Sequence, residues 1–227
     1  PDPQDLGLSK LDYGLGDGWV FSPGASAMLD VYPLRFAGME GLLSGLGLSF
    51  DGSFFVQSTQ QVDTAGGLIG DTMTSQVMTL RGGLVWSLGL WDENTAPVVS
   101  MEAGYHHYAF PLEDAPFPGV AYSGPYGALE FALPVAESAA LCLSAVFTAP
   151  LSAGSDAAAF GVPNGGYGFG GGVELFISFA SLIGMPLELR IGGDYDSYTV
   201  RFSGESSFQG VNLLDAELRD VAWQGYA

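Results

Sequence analysis

The chain has 227 residues and carries 25 Asp and Glu against 6 Lys and Arg, a formal net charge of −19. That shortage of cations excludes nucleic acid as a partner, since phosphates call for Lys and Arg, and excludes a polybasic lipid-binding surface. Hydrophobic residues reach 48% and charged residues only 14%, yet apolar runs such as LFISFASLIGMPL are too short, or too broken by Gly, Ser and Pro, for a transmembrane helix.

Cys142 is the only cysteine, so no intrachain disulfide and no Cys-based metal site forms, and its expected role is a small buried hydrophobe. The opening PDPQDLGLSK lacks a basic n-region and an apolar h-region, so any signal peptide is expected to have been removed. Residues 1–18 are read as an N-terminal segment, a loop or partial first strand, and residues 19–227 as one β domain.

Along the chain, apolar residues recur at every second position. SAMLDVYPLRF (26–36) is the weakest case: Leu29 and Val31 oppose Asp30, and Met28 breaks the pattern. GLLSGLGLSFDGSFFV (41–56) sets Leu46, Leu48, Phe50, Phe54 and Val56 against Gly45, Gly47, Ser49, Asp51 and Ser53. SQVMTLRGGLVWSLGLW sets Met78, Leu80, Leu84, Trp86 and Leu88 against Thr79, Arg81, Gly83 and Ser87. PVVSMEAGYHHY sets Val99, Met101, Ala103 and Tyr105 against Ser100, Glu102, Gly104 and His106.

Leu129, Phe131, Leu133 and Val135 then oppose Tyr126, Ala128 and Glu130, and Leu141, Leu143, Ala145 and Phe147 oppose Cys142, Ser144 and Thr148. In YGFGGGVELFISF, Tyr167, Phe169, Val173, Leu175, Ile177 and Phe179 face away from Gly168, Gly170, Gly172, Glu174 and Ser178. LELRIGGDYDSYTVRF separates Leu187, Leu189, Ile191 and Tyr195 from Glu188, Arg190, Gly192, Asp194 and Asp196, and DVAWQGYA separates Val221 and Trp223 from Asp220 and Gln224. The period is two, that of a strand, and not the 3.6 of a helix. Short connections (37–40, 92–96, 136–138, 180–186) alternate with longer acidic ones (57–74, 111–119, 152–166, 203–219), which predicts an up-and-down meander with its long loops on one rim.

Alternation fits a soluble sandwich or barrel with its apolar face inward, or a membrane barrel with that face toward lipid. Three features select the second. The segments exceed the roughly 9–11 residues that span a bilayer. The polar face is made of Gly, Ser, Ala and Thr, which suit a narrow interior. The aromatics of the apolar face gather in two girdles: Phe54, Tyr105, Phe147, Tyr167, Phe169 and Tyr195 toward the long-loop rim, and Trp86, Phe131 and Phe179 toward the short-turn rim.

On these segments the chain resembles the small outer-membrane β-barrel proteins of Gram-negative bacteria, broadly the OmpA/OmpX/OmpW-like class, and LDVYPLRF followed by GLLSGLGLSF resembles the proximal hairpin of uncharacterised barrels from deltaproteobacteria. The resemblance implies an all-β, up-and-down antiparallel transmembrane barrel in the bacterial outer membrane, of about 8–10 strands. Ten is favoured: the nine segments seen are an odd number, bacterial barrels have even counts, and a further strand can lie in LGLSKLDYGLGDG. The chain departs from the class by stopping at Tyr226-Ala227 rather than on a terminal aromatic.

The implied role is structural, adhesive or scaffolding, with acidic loops outside. The alternatives are a diffusion pore for small solutes or cations and, in another class, a soluble secreted β-sandwich or barrel acting as a binding module. The implied partners are outer-membrane lipid, lipopolysaccharide and envelope proteins, with no cofactor and no metal.

The inward set carries Asp51, Arg81, Glu102, Glu130, Glu174, Glu188, Arg190 and Asp194, read as a structural charge network in which the two arginines are clamped by carboxylates. His106 is expected inward, and His107 toward lipid or the rim, so the two cannot chelate one ion from a single strand. No G-x-S-x-G elbow is present and no enzyme is expected. Gly168, Gly170, Gly171 and Gly172 sit inside a strand pattern with no following helix or Lys, so they are read as curvature positions rather than a phosphate loop.

Overall fold

The computed structural model describes residues 24–62, 68–91, 96–111, 119–179, 188–208 and 211–226. The protein is all-β. Its strands are β1 (Gly24–Val31), β2 (Leu46–Val62), β3 (Leu68–Gly89), β4 (Val98–Phe110), β5 (Val120–Ala136), β6 (Ala139–Thr148), β7 (Val162–Ser178), β8 (Glu188–Ser203), β9 (Glu205–Phe208), β10 (Val211–Leu214) and β11 (Glu217–Tyr226). Nine of them form one up-and-down antiparallel sheet in the order β1-β2-β3-β4-β5-β6-β7-β8-β11, and β9 and β10 make a separate hairpin. Among the described residues no helix is long and apolar enough to cross a membrane, which says nothing about strands.

The period-two pattern becomes alternating burial because successive Cβ atoms leave opposite faces of a strand. From Gly45 to Phe50 the residues alternate strictly, with Gly45, Gly47 and Ser49 buried and Leu46, Leu48 and Phe50 exposed. Cross-strand register keeps like with like: Leu48 pairs with Leu84, which pairs with Ala103, while Ser49 pairs with Gly83, which pairs with Gly104. Gly83 and Gly104 are needed for close approach. A Cβ on Gly104 would lie 2.2 Å from the Gly82 carbonyl oxygen and 2.5 Å from the Gly83 Cα.

The sheet is strongly curled. His106 on β4 stacks on Tyr198 on β8 with ring centroids 5.9 Å apart, and Tyr122 on β5 hydrogen-bonds Asp220 on β11. Each of these pairs is four strand intervals apart, about 19 Å in a flat sheet at about 4.8 Å per interval. Side chains of the inner face therefore meet across the concavity. Among the described residues no ladder joins β1 to β11, and eight successive antiparallel pairings make these two edges run in the same direction. The tenth strand expected in the N-terminal stretch lies outside the described residues.

Three expectations about connections need correction. The predicted long loop at 57–74 is mostly ladder: β2 runs to Val62 and β3 starts at Leu68, with an irregularity between Thr59 and Gln61. The segment at 26–36 stops being a strand at Val31, because Pro33 opens a short helix, α1 (Pro33–Phe36), where its missing N–H costs nothing. The strand predicted from residue 41 starts at Leu46, after Gly41 turns the chain at φ 82° into a 3-10 turn over Leu42–Gly45. The ends of the sheet therefore differ less in loop length than the sequence suggests.

Candidate functional site

The outer face is apolar and exposed. Leu46, Leu48, Phe50, Leu80, Leu84, Met101, Leu129, Leu133, Leu143, Val173, Leu189, Ile191 and Val221 are all exposed, Leu84 at 59% and Leu143 at 47%. No Asp, Glu, Lys or Arg shares their outward register between β2 residue 46 and β8 residue 195. Among the described strand residues, outward charge enters at the long-loop end, where Arg201 pairs with Glu217 at 3.0 Å across β8 and β11.

Of the predicted girdle residues, Phe54, Tyr105, Phe147, Tyr167 and Phe169 are exposed on this face, and Trp86, Phe131, Phe179 and Tyr195 are half-buried. The separation of the girdles is uneven. Phe169 on β7 and Phe179 just past its end are well apart, but Trp86 is only four residues from Gly82, the register partner of Tyr105. The Trp86 Nε1 donates to the Leu42 carbonyl at 2.8 Å, so its ring also anchors the β1–β2 connection.

The inner face changes character along its length. At the short-turn end Tyr32 reaches in beneath β2, and its hydroxyl lies 3.0 Å from Ser87 Oγ, which lies 2.8 Å from Ser100 Oγ. Arg35 covers the Tyr32 ring at 4.7 Å. A cavity of about 520 Å³ opens here between Tyr32, Arg35, Trp91 and Val98.

The charged residues come next. Arg190 contacts Glu174 at 3.4 Å and Arg81 contacts Asp51 at 3.6 Å. The Arg81 Nε is buried without a hydrogen-bond partner. Glu102 accepts a hydrogen bond from the Tyr126 hydroxyl rather than from an arginine. Glu130 is exposed and registers opposite Ser100 and Ser144. Asp194 lies over Gly172, where a Cβ would meet its Oδ1 at 2.0 Å, and Asp196 lies over Gly170 in the same way at 2.3 Å. These glycines make room for acids on the neighbouring strand. Glu188 starts β8, and its side chain lies outside the described residues.

Above the charges the inner face becomes a packed core. Val120, Tyr122, Ala153, Ala157, Phe160, Tyr198, Val200 and Phe202 are buried together, with Tyr108, Phe110, Ala216 and Leu218 packed against them. Tyr198 stacks on Tyr122 at 4.9 Å, on Tyr108 at 5.2 Å and on His106 at 5.9 Å. Tyr122 is 0% exposed and His106 is 2% exposed, with its Nδ1 unpartnered. This aromatic stack spans the concave face just beyond the charges, with the Tyr122–Asp220 bond tying it to β11 across the concavity and the Tyr126–Glu102 bond joining the neighbouring strands β5 and β4 beside it.

The sequence reading named Arg81, Arg190 and most of the acids, placed Asp196 and Asp220 on the polar face without including them in the charge network, and missed Tyr122 and Tyr198. Their parity was the available signal: Tyr198 and Asp196 share the inward register of Asp194, and Tyr122 that of Tyr126. Among the described residues no group of three or more His, Cys, Asp or Glu is arranged to hold a metal ion. No family model, curated protein or solved structure matches the chain.

Proposed function

We propose that the chain is an integral outer-membrane β-barrel with a structural, adhesive or scaffolding role, presenting acidic loops outside the cell. The observation that carries this reading is the uncharged, exposed apolar belt on the outer face, opposite an inner face of glycine, serine and paired charges. In water, monomeric proteins rarely expose a contiguous apolar patch beyond a few hundred Å². In lipid, such a belt is what a barrel wall requires. Curling that brings β4 and β5 against β8 and β11 supports a closed barrel. With both edges running the same way, antiparallel closure takes a tenth strand running opposite to them.

The aromatic stack favours a scaffold over a pore. Buried Tyr122, Tyr126, Tyr198 and His106 occupy the cross-section through which a solute would pass. The acidic interior remains as a charge network rather than a conduit.

The test is electrophoresis of detergent-extracted, unboiled protein, followed by planar-bilayer recording. A folded, heat-modifiable band with no steady conductance supports the proposal. Partition into buffer without detergent refutes the membrane reading, and steady channels refute the scaffold.

A further inference from the structure

The register of β4 and β5 sets His107 opposite Ser123. The His107 Nδ1 lies 2.7 Å from the Ser123 Oγ, and both residues are half-buried. Their chain neighbours His106, Tyr122 and Gly124 are buried on the inner face, so His107 and Ser123 belong to the outer, apolar one. The Ser123 main chain is already satisfied: its N–H donates to the Ser152 carbonyl at 3.2 Å, and its carbonyl accepts from the Leu151 N–H at 2.8 Å. The hydroxyl–imidazole bond is therefore additional to the sheet. It also has the serine–base geometry that activates a hydroxyl nucleophile.

Two further features converge there. Ser152 pairs with Ser123 through the main chain, and directly opposed residues of an antiparallel pair share a face. The Ser152 Oγ accepts from the Gly154 N–H at 3.2 Å, which leaves its own proton to donate. On the other side, a groove of about 520 Å³ is lined by Met28, Phe50, Leu80, Tyr105 and His107, and also by the Asp51–Arg81 pair. Gly52 and Gly82 form its floor, because side chains there would press on Leu80 at 3.1 Å and Phe50 at 3.3 Å. A mostly apolar trough, with one imidazole and one ion pair in its lining, suits an acyl chain whose ester lies at the dyad.

We propose that Ser123 and His107 form an acyl-transfer dyad that cleaves ester-linked acyl lipids lying in this groove. The proposal rests on the reading that the outer wall faces lipid. With the ring proton on Nε2, Nδ1 takes the hydroxyl proton as the Ser123 Oγ bonds to the ester carbonyl carbon. Ser152 donates to the oxyanion. The carbon–oxygen bond to the alcohol then breaks, the alkoxide receives the proton from Nδ1, and the acyl group stays on Ser123. Water, losing a proton to Nδ1, attacks this acyl-serine, and the proton returns to Oγ. The sum is ester plus water to acid plus alcohol.

Among the described residues no carboxylate orients His107. Disabling that orienting group in a serine triad lowers kcat about 10⁴-fold, so covalent labelling is a better readout than turnover. The experiment treats the full chain, folded in detergent micelles, with a long-chain alkyl fluorophosphonate and locates the adduct by peptide mass spectrometry. The adduct is expected on Ser123, absent in Ser123→Ala and at least about tenfold slower in His107→Gln, with both variants still heat-modifiable. No adduct on a heat-modifiable wild-type barrel overturns the dyad and leaves the membrane reading standing. An adduct that forms undiminished in His107→Gln also overturns it. An adduct on a chain that stays in buffer without detergent keeps the dyad and overturns the lipid as its substrate.

Discussion

Replacing Leu143 by Arg separates the two environments its side chain could meet. Leu143 is 47% exposed at the middle of β6, registered between Phe131 on β5 and Val173 on β7, with no charge on its face. If that face contacts hydrocarbon, an Arg near the bilayer midplane costs about 2–4 kcal/mol, falling toward zero at the interfaces. At 1.4 kcal/mol per tenfold, that is roughly 30- to 700-fold in the folding equilibrium. If the same face contacts water, a substitution at a half-exposed position stays within about 0.5 kcal/mol. The inner face is not rearranged in either case, because Cys142 and Ser144 carry the opposite parity. The assay is reversible urea unfolding in phospholipid bilayers, followed by the heat-modifiable band, with Leu84→Arg (Leu84 being 59% exposed) as a second site. A loss of stability in both variants is expected. Unchanged midpoints, or variants that become more soluble without detergent, would refute the inside-out polarity.

Other consequences follow from the inner face. Tyr122→Phe leaves the Asp220 carboxylate without its hydroxyl donor in a site where Tyr122 is fully buried; a loss of about 1–3 kcal/mol in urea unfolding is expected, whereas Tyr105→Phe on the exposed outer face should shift it by less than about 0.5 kcal/mol. Gly104→Val drives a side chain into the Gly82 and Gly83 main chain. No rotamer relieves that contact, so a cost of at least about 1–3 kcal/mol is expected, and full recovery of the folded band would contradict the close approach. The double variant Tyr122→Ala with Tyr198→Ala removes the centre of the aromatic stack; it should raise planar-bilayer conductance above the silent wild type, and equal silence in the folded variant would show that something else blocks the interior.

Strand parity was legible in the sequence from β2 onward, because each strand writes its two faces at alternate positions, whereas β1 is exposed at every residue but Val31 and shows no alternation. It placed Leu84 outward and Glu102 inward, and separated His106 from His107, without any pairing information. Contacts that depend on register or on curling were not legible. Ser123 and His107 are 16 residues apart and meet only because of one β4–β5 offset. Tyr122 and Asp220 are 98 residues apart and meet only because the sheet rolls up. The hairpin tips were misread for a different reason. Residues 57–62 are rich in Gln, Ser and Thr, a composition shared by loops and by strands that project into water, and residues 68–74 mix Leu, Ile and Met with Gly, Asp and Thr without a clear alternation. Likewise, the packed core at the long-loop end reverses the inward polarity of the same strands, as Tyr198, Val200 and Phe202 on β8 show. A single polarity for each strand could not anticipate that.

The most direct measurement is a nitroxide scan of residues 141–147 on β6 in reconstituted bilayers, comparing collisions with oxygen, which concentrates in lipid, and with a water-soluble nickel chelate. Oxygen accessibility should peak at 143, 145 and 147 and dip at 142, 144 and 146, following the exposure of the wall. Oxygen peaks at the even positions, or nickel peaks at the odd ones, would mean that the oily side of the sheet does not face the membrane.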